Sequence, residues 1–438
     1  AFVFWRSVAP APSATVRPAG FDAADPATYG AAAWSRYDGL VRAAAARGLS
    51  IILTPTSPVP AWASQCSGSA TKRRTCNPAA AEFGAFLRAL GTRYSGAYAA
   101  EDGSGVLPRV SRWGIWNEPN VGVWLTPQFV RRGGRTVASS PARYRALAQA
   151  AIGGLQATGH RGDQILIGET GPIGHATGAL VRRPVATAEF LRDLFCISSA
   201  GHKLRGAAAR AQGCRGNLFL AAGGIAHHPY IQGGSKAPTT PARPDEIVIS
   251  SPGSLTGLLG QAARAGRIPR GLPIFYTEFG FQTDPPDHRL GVSLSRQAAY
   301  LNQSLYMSYR QRRVQGLAQY LLYDDRQLGG FQSGLQFADG RAKPSLQAYG
   351  FPIWVVRDGI HVTVFGQVRP LPPGDPGQVS MQVKLPGKSF TSYRVVKPNP
   401  RGFVIARLLS KRGRWRLYYT PGDGGPARIS RETTEATR

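Results

Sequence analysis

Acidic side chains are scarce in this chain: 24 aspartates and glutamates stand against 53 lysines and arginines, a formal net charge of +29 over 438 residues. Long apolar runs are missing too, and none reaches the roughly 18 residues of a spanning helix, which excludes a membrane-crossing helix. Neither GxGxxG nor GxxxxGKS/T occurs, so a glycine-rich nucleotide loop after the first strand is excluded, and no cofactor is expected. Cysteine is limited to four, without CxxC spacing or a companion histidine cluster, which argues against zinc, and no metal is expected. The basic excess points to a polyanion. However, the cations are mostly arginines scattered among alanine, glycine and proline, with no lysine-rich block and no aromatic-basic interleaving, so nucleic acid is not expected as a partner. An anionic substrate or cell surface stays open.

What is present is the material of a folded protein. Hydrophobic residues make up 42% and charged ones 18%, a balance that disordered chains lack. The length exceeds one ordinary domain, although an α/β barrel can absorb 250 residues or more. The cysteines fall as two close pairs, Cys66 with Cys76 and Cys196 with Cys214, in loop-like segments. Two local disulfides of a secreted protein are expected, with four free thiols as the alternative. Residue 1 is alanine and no signal peptide is present, which fits a processed chain of extracellular or cell-surface location.

Over the first 350 residues short β-branched or aromatic runs alternate with amphipathic stretches, the pattern of parallel βαβ units. Strands are predicted at 2–8, 50–54, 110–116, 164–168, 218–226, 273–277 and 314–323. Helices are predicted at 31–47, closed by Gly48; after an Asn77-Pro78 cap; from Ser140-Pro141 to near Gly159; and at 186–195, 254–265 and 295–312. Without a nucleotide loop, a barrel is favoured over an open doubly wound sheet. From residue 352 the periodicity changes to alternating runs at 360–368, 378–385, 389–396, 402–408 and 414–420, which predict a small β-sandwich. Trp354, Tyr393, Trp415, Tyr418 and Tyr419 are expected in its core.

Two apolar strands end abruptly in a carboxyl. One is Trp113-Gly114-Ile115-Trp116-Asn117-Glu118-Pro119-Asn120 and the other is Pro273-Ile274-Phe275-Tyr276-Thr277-Glu278-Phe279-Gly280. Barrel enzymes keep their chemistry at the carboxyl ends of their strands. Two facing carboxyls suit glycosidic cleavage, one protonating the leaving oxygen and the other attacking or activating water.

These residues resemble the clan A glycoside hydrolases, retaining (β/α)8 enzymes that include the family 5 and family 39 glycosidases. Trp116-Asn117-Glu118-Pro119 is similar to their acid/base motif after strand four, and Thr277-Glu278-Phe279-Gly280 to their nucleophile after strand seven. His227-His228-Pro229-Tyr230 resembles their His-x-Tyr after strand six, whose tyrosine hydrogen-bonds the nucleophile. The resemblance spans roughly residues 1–350 and implies a (β/α)8 barrel over 1–351, leaving 352–438 as the β-sandwich domain that the alternating runs predict. It implies Glu118 as acid/base, Glu278 as nucleophile, and Asn117 on the sugar 2-hydroxyl. In this frame residues 2–10 match strand two, so strand one is missing from the N-terminus or the barrel closes differently; Arg6 falls too late to replace the clan's strand-two arginine.

Around that pair, His228, Tyr230, Trp62, Trp124, Tyr323 and Asp324 are expected to contact sugar, the tryptophans by stacking. For Trp116 stacking and core packing are equal readings. Glu169 is read as a structural partner, with a contact to sugar as the alternative. Arg131, Arg132 and Arg135 sit in the long loop after Glu118, as a solvated loop or as contacts to an acidic sugar. The function expected is a secreted retaining glycoside hydrolase. The alternatives are a carbohydrate-binding or transglycosylating protein on the same scaffold, and a polyanion binder using the positive charge.

Overall fold

The structure, a computed structural model, describes residues 1–234 and 236–437. Seven strands follow one another in the predicted order: β1 (Phe2–Phe4), β2 (Thr54–Thr56, beginning where the predicted run 50–54 ends), β3 (Arg112–Gly114), β4 (Gln164–Thr170), β5 (Gly224–His227), β6 (Ile274–Phe279) and β7 (Val314–Gln319). β1 pairs parallel with β2, and a parallel bridge from Leu53 to Trp113 links that pair to β3. From β3 to β7 the strands lie side by side in chain order, and β3, β4, β5 and β6 pair in parallel. Such an order needs a crossover between every two strands, which puts helices on the outer face and leaves the strands apolar on both sides.

The crossover helices are α1 (Ala31–Ala46), α2 (Ala80–Arg93), α3 (Ser140–Gln156), α4 (Thr187–Leu194), α5 (Pro252–Arg264) and α6 (Leu294–Tyr309), followed by the short α7 (Pro344–Gly350). α1 ends as read, with Gly48 left-handed (φ +64°) and Leu49 N–H donating back to Ala44, because only glycine adopts that turn without strain. α2 buries Phe83, Phe86, Leu87 and Leu90. It crosses α3 closely: a Cβ on Gly154 would stand 2.4 Å from the Gly84 carbonyl oxygen, so glycine is required there.

Two local readings need correction. The first strand stops at Phe4 and a helical turn covers Trp5–Val8, since Trp5 is wholly buried, stacked on Phe86 with ring centroids 5.4 Å apart. Asn77 does not cap α2. It is itself left-handed (φ +42°), and its side chain donates to Gln65 and accepts from Arg143, while α2 opens from Ala79.

By contact density the chain divides into two compact units. One comprises Ala1–Pro229, Pro241–Thr277 and Arg313–Gly316; the other comprises Tyr230–Thr240, Glu278–Arg312 and Leu317–Arg438. The second unit contains the strands β8 (Ile353–Asp358), β9 (His361–Gln367), β10 (Gln378–Lys384), β11 (Thr391–Val396), β12 (Phe403–Leu409), β13 (Arg414–Thr420), β14 (Arg428–Ile429) and β15 (Ala436–Thr437). They form two four-stranded sheets, β12-β9-β8-β15 and β11-β10-β13-β14. Alternate residues of both sheets enter one apolar cluster, among them Val355, Val364, Met381, Trp415, Leu417 and Tyr419. Tyr393 packs against it. Trp354 and Tyr418 fall on the opposite strand face and stay half-buried, a correction that follows from the two-residue period of a strand. Asn302 of α6 joins these sheets to the helices of the same unit, donating to the Ala348 carbonyl and accepting from Ile353 N–H and Arg431.

Candidate active site

The end of β3 is shaped by its neighbours. A Cβ on Gly114 would stand 2.2 Å from Oε1 of Glu169 and 2.3 Å from Oγ1 of Thr54, so glycine alone admits both groups. Beyond it the chain turns through two left-handed non-glycine residues, Trp116 (φ +68°) and Glu118 (φ +36°). Such conformations each cost on the order of 1–3 kcal/mol and persist only where the surroundings enforce them. Here they do. Trp116 N–H donates to the Pro55 carbonyl, Asn117 N–H to Oγ1 of Thr56 at 3.0 Å, and Glu118 N–H to the Glu169 carbonyl at 2.9 Å. Tyr144 of α3 clamps the two strand ends from behind, donating to the Ile115 carbonyl and accepting from Gly168 N–H.

The Glu118 carboxyl is one-fifth exposed, and its Oε1 lies 3.1 Å from Nδ1 of the buried His228. Gly171 leaves it room, since a Cβ there would stand 3.0 Å from Oε1. Asn120 fixes Gly171 by accepting from its N–H and donating to its carbonyl. Asn117 is buried, and among the described residues its Oδ1 has no hydrogen-bond partner. A buried amide oxygen left unpaired beside an acid is the arrangement expected of a group reserved for a ligand hydroxyl.

His227 is a fixed neutral imidazole. Its Nε2 donates to the Ile247 carbonyl, so Nδ1 accepts from the Thr170 hydroxyl at 2.9 Å. Burial, then the neighbouring His228, pulls its pKa down to about 3. Glu169, left-handed at a register shift in β4, is fully buried and accepts from Thr54, which makes it the structural partner the sequence suggested.

Glu278 is the penultimate residue of β6 and belongs to the second unit. There Tyr230 donates its hydroxyl to Oε2 of Glu278 at 3.2 Å, and its ring lies against Phe279 with centroids 6.0 Å apart. Gly280 follows, where a Cβ would stand 2.6 Å from the Tyr320 carbonyl.

The remaining expected sugar contacts divide. Trp62 is buried, donates to the Pro10 carbonyl and meets Trp5 and Phe21 edge-on. It serves the core rather than a stacking platform. Trp116 is likewise buried, edge-on to Phe83. Asp324 is committed to structure: it pairs with the buried Lys343 at 2.7 Å and accepts from Gly334 N–H, and burial lowers the Lys343 pKa. Tyr323 is half exposed and Trp124 partly buried. Arg131, Arg132 and Arg135 are exposed on a hairpin, Phe129–Arg132 with Arg135–Ala138, rather than an irregular loop. Its turn is Gly133-Gly134, a dipeptide that signals hairpins. Sequence reasoning missed Thr54, Thr56, Asn120 and Gly171, whose roles emerge only from neighbouring strands. Cys66 pairs with Cys76 and Cys196 with Cys214.

No protein-family model matches the chain, and no curated protein matches it. Among solved structures it is similar to a glucosidase from Croceicoccus marinus (12% identity, TM-score 0.46, covering 89% of this chain and 81% of that one). It is also similar to a Cellulomonas fimi endo-β-1,4-mannanase double mutant (13%, TM-score 0.37, 93% and 81%). A Bacteroides uniformis β-glucuronidase is matched over 92% of this chain at 12% identity and TM-score 0.38, but this chain spans only 40% of its length. These similar structures are glycoside hydrolases, and at such TM-scores the functional reading rests on the residues of the chain itself.

Proposed function

We propose that the chain is a secreted retaining glycoside hydrolase, its catalytic (β/α)8 barrel formed by residues 1–351 and followed by a β-sandwich at 352–438. The observation that carries the reading is the segment after β5. It supplies His228 to Glu118 and, two residues on, Tyr230 to Glu278, while Glu118 follows β3 and Glu278 is the penultimate residue of β6, two strands of one parallel sheet. Two disulfides support an oxidising destination.

In the first step Glu278 attacks the anomeric carbon, forming an ester bond as the glycosidic C–O bond breaks, and Glu118 gives its proton to the departing oxygen. In the second step Glu118 takes a proton from water, whose oxygen attacks the same carbon and releases Glu278 as carboxylate. This double displacement requires the carboxyls about 5 Å apart. The Tyr230 hydroxyl favours the ionised form of Glu278. Asn117 takes the sugar 2-hydroxyl, a contact that strengthens as the oxocarbenium-like state develops.

A panel of aryl glycosides and polysaccharides tests the proposal. Glu278→Ala should lower turnover on the order of 10⁴-fold, with azide restoring product of inverted configuration. Glu118→Ala should still cleave activated aryl glycosides, which need no acid. A Glu278→Ala protein that keeps wild-type turnover on the same substrate would rule the assignment out.

A further inference from the structure

The part of the chain given no catalytic role is its most basic: residues 352–438 carry 15 lysines and arginines against five acids. Some of those cations converge on a cleft of about 410 Å³ lined by Arg357, Lys384, Arg412, Arg414 and Glu435, a size within the range of small-molecule sites, roughly 300–1,000 Å³. We infer that this cleft is a binding site for an acidic glycan, holding a sugar carboxylate or sulfate on residues other than Glu118 and Glu278.

The cleft is built rather than incidental. Arg412 is held left-handed (φ +50°), a conformation that costs a non-glycine residue energy unless its surroundings enforce it. Its N–H donates to the Glu435 carboxylate at 3.0 Å. Gly413 next to it allows close approach, since a Cβ there would stand 2.6 Å from the Lys384 carbonyl. Glu435 is saturated by that N–H, the Ser410 hydroxyl and the indole N–H of Trp415. Arg357 reaches it only at 4.0 Å. Arg414 pairs with Glu432 at an exposed position. Among the described residues neither Lys384 nor Arg412 has a carboxylate within ion-pair distance. The one acid in the cleft therefore serves as scaffold, and the cations face a ligand. Guanidinium forks match carboxylate and sulfate in pairs of hydrogen bonds.

A glycan is favoured over nucleic acid because single-strand binders need bare aromatic faces. Here the Arg416 guanidinium covers Phe390 at 3.9 Å, and the Lys411 ammonium lies over Tyr393 at 5.3 Å. The choice of a glycan also rests on the glycosidase reading, whereas the anion site does not.

The full-length protein should be titrated with polygalacturonate, with uncharged mannan and with oligothymidylate at physiological salt. Lys384→Gln with Arg412→Gln should weaken polygalacturonate binding about tenfold or more, as expected for two charge-assisted contacts, and leave mannan binding and aryl-glycoside hydrolysis unchanged. Lys384→Gln alone, which leaves the strained turn intact, should give a smaller loss in the same direction. Unchanged polygalacturonate affinity in both variants would overturn the site. Tighter binding of oligothymidylate than of polygalacturonate, lost with the same substitutions, would overturn its ligand class. Hydrolysis is scored separately: a wild type that cleaves nothing in the aryl-glycoside panel sinks the glycosidase reading, and the affinity difference still decides the cleft.

Discussion

The strand ends of the parallel sheet and the two C-terminal sheets are built on opposite plans. At the ends of β3, β4 and β5, three non-glycine residues are left-handed, Trp116, Glu118 and Glu169, and polar side chains are buried together, Thr54, Asn117, Glu169, Thr170, His227 and His228. In β8 to β13 the buried positions alternate and are filled mainly by valine, leucine, methionine, tryptophan and tyrosine. Among the described residues from 352 onward Arg412, in a turn, is the one left-handed non-glycine residue. Strain and buried polarity lower stability, so their concentration at one place is the arrangement the proposed chemistry calls for, whereas regular alternation is what a packed core calls for.

Substitutions in the two regions should separate along that line. Asn117→Ala should lower kcat on the order of 10²-fold by removing a contact made mainly in the transition state. Its melting temperature should hold, because no bond of Oδ1 within the protein is lost. Leu417→Ala should do the reverse, costing about 3 kcal/mol in denaturant unfolding by leaving a cavity, with kcat intact while the chain is folded. A Leu417→Ala protein that stays folded but loses turnover would break the division.

Titration sharpens it further. His227 has a folded pKa near 3 against an ordinary 6.5, so below 6.5 the unfolded chain binds the extra proton and stability falls with pH. Between pH 6.5 and about 5 the loss should be roughly 2 kcal/mol, and His227→Gln should flatten it. An effect of similar size and opposite sign is expected at Asp193, whose pKa burial, then the charge of Glu189, raises to about 7. There the folded state holds the proton, so stability falls as pH rises from its ordinary 3.8 toward 7. Asp193→Asn should remove that fall, roughly 3 kcal/mol between pH 5 and pH 8 by linkage, read by thermal unfolding at the two pH values.

Most of the parallel strands were legible because their apolar runs are continuous and each is followed by glycine, proline or a polar turn. Glu118 and Glu278 stood out for the same reason: a carboxyl that ends an apolar strand breaks the pattern. Asp324 misled because its partner Lys343 comes 19 residues later, and only the path of the intervening loop makes them an ion pair. Trp62 misled because an aromatic residue reads alike as platform or core until its neighbours are known. Gly114 and Gly171 were silent, since the space a missing Cβ leaves is defined by other strands.

The most direct test of the central claim is the configuration of the first product. Proton NMR of wild-type hydrolysis, recorded before mutarotation, should show the anomer of the substrate retained, as two displacements through a Glu278 ester require. Initial release of the inverted anomer would contradict the account.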